Sequence, residues 1–426
     1  MSESTNASYE LLVGIDWATQ EHQACVMTPD GAVVQECVVA HEAASIQAFV
    51  DRLVQRVDGH PERVAVAIET PRGALVATMV ERGLHVYSLN PKQSDRFRDR
   101  HTVAGAKDDR RDAYVLGDAL RTDQPKFRRV QLDHPLVLQI REVSQADDDL
   151  RDEFGRLTNR LWEQLYRCAS PLLQLSSRAD DPWLWDLVER LFSQPERRLT
   201  RTQVDKLLKR HRIRRLDADE VLRVVQEAPV PVAPGAAQAA RGHVALLLPR
   251  VRLVHEQRKQ CEKQLQALLA AYGDEDEQKR DGGASVVSIL LSAPGLGTLV
   301  AGNLVGKAAQ LLVRADHAAL RTLTGAAPVT IQSGKKGRGG RRVVMRRACD
   351  PDLRNACYHW SRVSIQLDDH ARAFYAAQRA RGHSHGRALR SLTDRWLRIL
   401  VAMLESGTLY DPNREQRRVP AAAIST

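Results

Sequence analysis

The sequence predicts an α/β domain at the front of the chain and a mainly helical remainder, on three observations. Short apolar runs rich in β-branched residues recur through residues 10–90, separated by turn residues. Beyond residue 130 the apolar spacing changes from the strand period to the three-four spacing of helices. Two breaks in composition, APVPVAPGAAQAA (228–240) and AYGDEDEQKRDGGAS (271–285), divide that remainder.

Taken in order, residues 10–18, 22–29 and 32–39 read as three successive strands, with Pro29-Asp30-Gly31 turning between the second and third. Residues 42–57 carry helical spacing through Ile46, Phe49, Val50, Leu53 and Val54. A fourth strand is predicted at 63–69, a helix at 73–83 and a fifth strand at 85–90. Three antiparallel strands followed by alternating helix and strand is the order of a ribonuclease-H-like sheet, in which the first and fourth strands are neighbours. Residues 136–170 space Val143, Leu150, Phe154, Leu157, Leu161, Leu165 and Cys168 as one face of a long helix. Residues 247–272 repeat the habit with Leu247, Val251, Val254, Cys261, Leu265 and Leu268. The two stretches predict either an antiparallel coiled-coil arm or oligomer seam, or a pair of ordinary core helices. Between them, residues 175–245 are expected to form a small helical insertion that ends in a Pro/Ala/Gly linker. The predicted domains are therefore 1–130, 131–280 with the insertion at about 175–245, and 281–426.

Charge narrows the partners. Lys and Arg total 63 against 53 acids in 426 residues, a net charge of +10. The cations cluster in KQSDRFRDR (92–100), KLLKRHRIRR (206–215) and KKGRGGRRVVMRR (335–347). Several separate basic clusters favour a polyanionic partner, nucleic acid above all. Six cysteines without a CxxC or framework spacing predict reduced thiols. The polar start MSESTNASYE and the lack of a long apolar run predict a soluble, cytoplasmic protein with no membrane partner.

Four carboxylates carry the chemistry. Asp16 closes the first strand in LLVGIDWA and Glu69 closes the fourth in RVAVAIET, so neighbouring strands bring them together. Asp109 and Asp112 in AKDDRRDAYV stand three apart and share one helix face. An all-carboxylate set suits hard cations, Mg²⁺ or Mn²⁺, better than zinc. Such a site is suited to phosphodiester transfer, because bound metal activates the attacking oxygen and stabilises the leaving one. Tyr87, Asn90 and Arg72 are candidate walls of the same cleft.

Further along, SVVSILLSAPGLGTLVAGNLVGKAA (285–309) reads as two apolar helices about the turn Pro294-Gly295-Leu296-Gly297. It is similar to a helix-hairpin-helix element, whose glycine turn admits a phosphate, and equally to a plain turn between core helices. In LTGAAPVTIQSGKKGRGGRRVVMRR, Ser333 precedes a glycine and the seven cations Lys335, Lys336, Arg338, Arg341, Arg342, Arg346 and Arg347. The cations suit backbone phosphates. The residues alone leave Ser333 as either a turn residue or a nucleophile whose phosphate those cations hold.

The motifs GIDWA, IET and Lys107-to-Ala113 (KDDRRDA), followed by SAPGLG, LTGAAPVTIQSG, the GRGGRR run and LRNA, resemble the transposases and recombinases of the IS110 type, including their IS1111 relatives. The resemblance covers roughly 10–170 and 245–410 and leaves the insertion unmatched. It implies a RuvC-like nuclease domain in which Asp16, Glu69, Asp109 and Asp112 are the catalytic, metal-binding acids. It implies that Ser333 attacks DNA and becomes covalently linked to it, serving the acids of another protomer within a dimer or tetramer. It also implies a structured non-coding guide RNA that pairs with target and donor DNA. Asp108 departs from the small polar residue expected beside Asp109.

Other functions are set against this. A Holliday-junction-type nuclease would use the acids with water and no serine. A sugar-kinase or actin-like ATPase would open as GIDWATQ does, but Gln20-Glu21-His22 replaces its phosphate-hairpin glycines. A nucleic-acid scaffold would need no metal. His383 and His385 look like a metal pair but have no acid or cysteine partner nearby in the sequence, and Cys349, Cys357 and His359 lack zinc-finger spacing. Trp183 and Trp185 are expected to pack within the insertion rather than to stack bases.

Overall fold

The computed structural model describes residues 9–101, 108–131, 133–193, 197–233, 235–278, 282–331 and 342–413. They fall into two compact units, 1–133 and 134–426.

In the first unit, β1 (Leu11–Asp16), β2 (Glu21–Met27) and β3 (Val33–Ala40) form the antiparallel half of a sheet. The β2–β3 turn uses Gly31 at φ +96°, a conformation that needs no side chain. Then come α1 (Ala43–Gln55), β4 (Val64–Ile68), α2 (Ala74–Glu81), β5 (His85–Ser88), α3 (Pro91–His101), α4 (Asp109–Asp123) and β6 (Arg128–Arg129). The strand order is β3-β2-β1-β4-β5-β6, with β4 parallel to both β1 and β5. The first and fourth strands are neighbours, as the element order requires. The strand β6 was not expected: it is two exposed arginines paired antiparallel to β5, too short to show alternation.

All five residues of β4 are buried, which demands cover on both faces of the sheet. One face carries Val13, Ile15, Val66 and Ile68 against Phe49, Leu53, Val76 and Met79 of α1 and α2. The other carries Leu12, Ala65 and Ala67 against Ala113, Leu116 and Leu120 of α4. On that second face α4 comes down onto the β1 backbone itself. A Cβ at Gly14 would collide with the Ala113 carbonyl oxygen and the Gly117 amide. A Cβ at Gly117 would lie 2.7 Å from Met27 Cε and 3.2 Å from the Gly14 nitrogen.

In the second unit, α5 (Pro135–Cys168) and α9 (Ala236–Gln278) lie antiparallel. Their ion pairs show the sense: His134 with Glu275, Asp147 with Arg258 and Glu153 with Arg250, numbers rising on one helix as they fall on the other. Arg258 grips Asp147 with two hydrogen bonds, of 3.0 and 3.3 Å. The helix predicted at 247–272 is therefore longer at both ends. It begins inside the expected linker, since the alanines after Gly235 are good helix formers, and it carries Pro249 internally. The insertion contributes α6 (Pro182–Ser193), α7 (Arg201–Arg210) and α8 (Ala218–Gln226), which pack with α5 and α9 around Trp183, Trp185 and Val188.

The remaining elements are α10 (Val286–Ser292), α11 (Thr298–Val313), α12 (His317–Leu323), the hairpin β7 (Val329–Ile331) and β8 (Arg342–Val344), α13 (Pro351–Leu367), α14 (Asp369–Ala380) and α15 (His385–Ser406). Their core, around Trp360 and Trp396, includes Val137 and Ile140 of α5 and Leu265 and Leu269 of α9. The same core thus continues across residue 280, where composition suggested a boundary. The glycine turn between α10 and α11 is spoken for by packing. Gly295 has φ +79°, and a Cβ there would lie 2.8 Å from the Ser364 nitrogen of α13. Trp360 Nε1 donates to the Pro294 carbonyl at 3.0 Å.

Gly14→Ala is expected to destabilise the first unit by about 3 kcal/mol or more, because the obstructing atoms are backbone and cannot step aside. Gly117→Ala should cost less, since the nearest obstacle is the flexible end of Met27. Amide hydrogen exchange of β1 and α4 peptides checks this: equal protection in both variants would contradict it.

Candidate functional site

Pleating and register place the acids. In β1, Gly14 and Asp16 are two apart and point to the same face, the one α4 covers. In β4, Ala65, Ala67 and Glu69 share that face by the same alternation. The parallel register Gly14↔Ala67 and Ile15↔Ile68 puts Asp16 and Glu69 side by side where the two strands end. Both carboxylates are partly exposed there.

The helix α4 supplies the other two. Ala113 and Gly117 are its contact with Gly14, so the turn bearing Asp109 and Asp112 faces the strand ends. Asp108 accepts a hydrogen bond from the Arg110 amide at 3.1 Å and caps the helix. That leaves Asp109 as the acid one turn from Asp112, exposed to solvent. The Asp112 side chain is 8 % exposed and accepts from Arg98 Nε of α3 at 2.8 Å. Arg98 also donates from Nη1 to Asp95 at 3.1 Å.

The four acids share a face and an end, but their side chains do not close on one point. Among the described residues no group of three or more His, Cys, Asp or Glu side chains is gathered closely enough to hold a metal ion. The site is an open edge of the sheet. A cavity of about 620 Å³ belongs instead to the insertion, between Cys168, Leu172, Phe192, Arg198 and Arg241.

A histidine pair, His22 buried and His41 exposed, stands behind the Asp16 end. His22, fully buried on β2, accepts the Ala18 amide at Nδ1 (3.3 Å). Its Nε2 must then carry the proton and donate to His41 Nδ1 at 2.9 Å. Burial, with His41 adding to it, holds the His22 pKa below the ordinary histidine value. The bond to Ala18 ties down the loop that follows Asp16. The sequence offered no signal for this pair, nor for Arg98, which looked like one more cation of a basic cluster.

Of the proposed cleft walls, Tyr87 is buried, its hydroxyl bonded to Tyr9 at 2.7 Å and to Gln124 at 2.8 Å, so it is core. The carbonyl of Asn90 receives the amides of Gln93 and Ser94 and starts α3. Arg72 is exposed.

In the second unit, Ser333, Lys335, Lys336, Arg338 and Arg341 lie outside the described residues, as does Lys107 of the first. Arg342 opens β8, opposite Ile331. Arg346 is half-buried with its Nε unpartnered, and Arg347 is exposed. The hairpin is closed at its base: the Asp350 amide donates to the Leu323 carbonyl at 2.9 Å. Lys307 of α11 reaches Asp350 at 3.1 Å and Asp352 at 2.7 Å.

The remaining candidates have structural places. His385 bonds Tyr375 at 2.8 Å. Cys357 is buried, with its thiol pushed up to about 12 by burial. Trp183 and Trp185 are buried in the insertion core. The exposed stacked pair of the arm is instead Trp162 and Tyr166, ring centroids 5.3 Å apart.

Comparison with known proteins converges on the same two segments. Residues 13–169 match a family described as transposase, the DEDD transposases of IS110, and residues 287–376 match the family described as transposase IS116/IS110/IS902. A putative transposase, y4uE, of Sinorhizobium fredii is 42 % identical over 233 residues, 54 % of this chain. That match spans 62 % of the relative's own length. A mini-circle putative transposase for IS117 from Streptomyces coelicolor is 29 % identical over 96 % of this chain and 97 % of its own. A protein of the insertion element IS110 in the same organism is 27 % identical over 94 % of this chain and 95 % of its own. No helix among the described residues is long and apolar enough to cross a membrane.

Below about pH 6.5 an unfolded histidine takes up a proton that buried His22 refuses, so the unfolded state binds more protons and stability falls as pH falls. One such group contributes a slope of at most about 1.4 kcal/mol per pH unit. Urea denaturation between pH 7.5 and 5.5 should show a shallower loss in His22→Gln than in the wild type. Identical slopes would remove His22 from the account.

Proposed function

This chain belongs to the IS110 family of transposases, and on that premise we propose that it is a DNA recombinase of a mobile element, excising and inserting DNA through a phosphoserine intermediate. The supporting observation is the alignment of Asp16, Glu69, Asp109 and Asp112 at one end of one sheet face, in a RuvC-like domain, with the serine-bearing segment in the second matched region. Asp16, Glu69, Asp109 and Asp112 would hold Mg²⁺ or Mn²⁺. Their donors are all carboxylate oxygens, so the set suits a hard divalent ion. When bound, the metal would supply Lewis-acid charge at the scissile phosphate.

The protein's own part is nucleophile and clamp. Ser333 Oγ gives up its proton and forms a bond to phosphorus, and the bond from phosphorus to the leaving strand's oxygen breaks. That strand departs as a hydroxyl. A hydroxyl of the incoming strand then attacks the phosphoserine and returns the serine as its alcohol. One phosphodiester is exchanged for another with no net hydrolysis, so no external energy source is needed. The cations Lys335 to Arg347 would hold the phosphate oxygens. The serine would come from a partner protomer of a dimer or tetramer. Exposed apolar side chains on the paired long helices, Leu138, Trp162, Tyr166, Leu246 and Leu253, support such an assembly. The net charge of +10 suits both DNA and a structured guide RNA, which would carry the sequence specificity.

The test is to co-express the chain with its flanking DNA, sequence the bound RNA and trap the covalent protein–DNA adduct. The wild type is expected to give an adduct that maps to Ser333. Ser333→Ala should give none and no cutting. Asp16→Asn, Glu69→Gln and Asp112→Asn should each slow adduct formation by roughly 10³-fold, several kcal/mol of lost charge stabilisation. Cutting that survives in Ser333→Ala would instead establish the water-using nuclease.

A further inference from the structure

We propose that Arg98 is the built-in counter-cation of the acidic site, occupying on Asp112 the place a divalent cation takes, so that α3 sets the site's cation affinity. This rests on reading the acids as metal ligands.

Asp112 is buried, and burying a carboxylate is costly unless an opposite charge is placed against it. The protein provides one from another helix, across fourteen residues of sequence, through a charge-assisted bond of 2.8 Å. Arg98 is positioned for this from its own side. Its second nitrogen is held by Asp95 one turn back, at 3.1 Å. The neighbouring Phe97 packs edge-on against Phe127 at 5.8 Å, which fixes α3 on the unit. Arg98 is thus oriented toward Asp112 rather than drifting in solvent.

Arg98 neutralises one acid of four. Asp16, Glu69 and Asp109 share its face and end of the sheet, and like charges brought to one point disfavour one another until a cation joins them. Arg98 holds Oδ1 of Asp112, so a divalent cation drawing them together either displaces it there or binds Oδ2 against the positive charge of the guanidinium. Binding of metal and the Arg98–Asp112 bond therefore compete, and Arg98 is a positioning residue whose loss strengthens metal binding. A residue that merely braced the fold would do the reverse.

The experiment uses the full chain without nucleic acid, following free Mn²⁺ by electron paramagnetic resonance during titration. Arg98→Gln is expected to bind Mn²⁺ about tenfold more tightly than the wild type, the size of one charge-assisted hydrogen bond removed. Arg98→Lys, which keeps the charge, should lie between the two. Affinity unchanged or weakened in Arg98→Gln would overturn the proposal. Should Arg98→Gln fail to fold, the wild type decides it: the Arg98 Nε–H resonance should move as Mg²⁺ saturates the site and stay still in Asp112→Asn. A resonance unmoved at saturation would overturn it equally. Mn²⁺ binding that is undiminished in Asp16→Asn and Asp112→Asn, or no binding in any variant, would sink the metal-site reading itself, a result distinct from acid-dependent binding that is indifferent to Arg98.

Discussion

The first unit depends on a contact in which two backbones touch. Gly14 of β1 and Gly117 of α4 lack side chains where the helix crosses the strand, and each would obstruct the other if it had one. This close approach fixes the height of α4 above the sheet. It also places the acids, because Gly14 lies two residues before Asp16 and Gly117 lies five after Asp112. Raise the helix by the width of a methyl group and its first turn lifts away from the strand ends. The same contact thus sets packing and the spacing of the acids.

A comparable economy governs the second unit, where buried ions set register. Asp147 and Arg258 bind side by side along the antiparallel helices, and Asp147 is nearly enclosed. Separating them would strand an unpaired charge, which penalises any slipped pairing of α5 against α9. Nearby, burial holds the Asp148 carboxyl above its ordinary value, against the partial opposing pull of Arg151. A hydrophobic seam alone tolerates sliding by a turn; these placed charges do not.

How much of this could be read in the residues follows from what each feature depends on. The strands and the four acids were legible because alternation and the ends of apolar runs are local signals. Glu69 stands beside Asp16 because the strand order follows from element order. By contrast, Arg98 finds Asp112 only through the packing of α3 on α4, and no spacing announces it. The start of α9 was masked by the composition of APVPVAPGAAQAA, whose prolines suggest a linker while its final alanines already wind into helix. Gly295 read equally as a phosphate-admitting glycine or as a plain turn between core helices, and its constraint comes from α13, about seventy residues later in the chain. Local chemistry was visible, and long-range contact was not.

The 294–297 turn is thus fixed by its packing against α13, and the β7–β8 hairpin is fixed by contacts of a similar kind. The hairpin's surroundings are built to hold its two ends in place. The Leu323 carbonyl and the Asp350 amide join the chain before it to the chain after it. Gly325, at φ +70°, leaves room for Cys349, since a Cβ there would meet that sulfur at 2.9 Å. Lys307, 11 % exposed, then fastens Asp350 and Asp352 to α11. These contacts fix the chain before β7 to the chain after β8, independently of the ladder between the two strands.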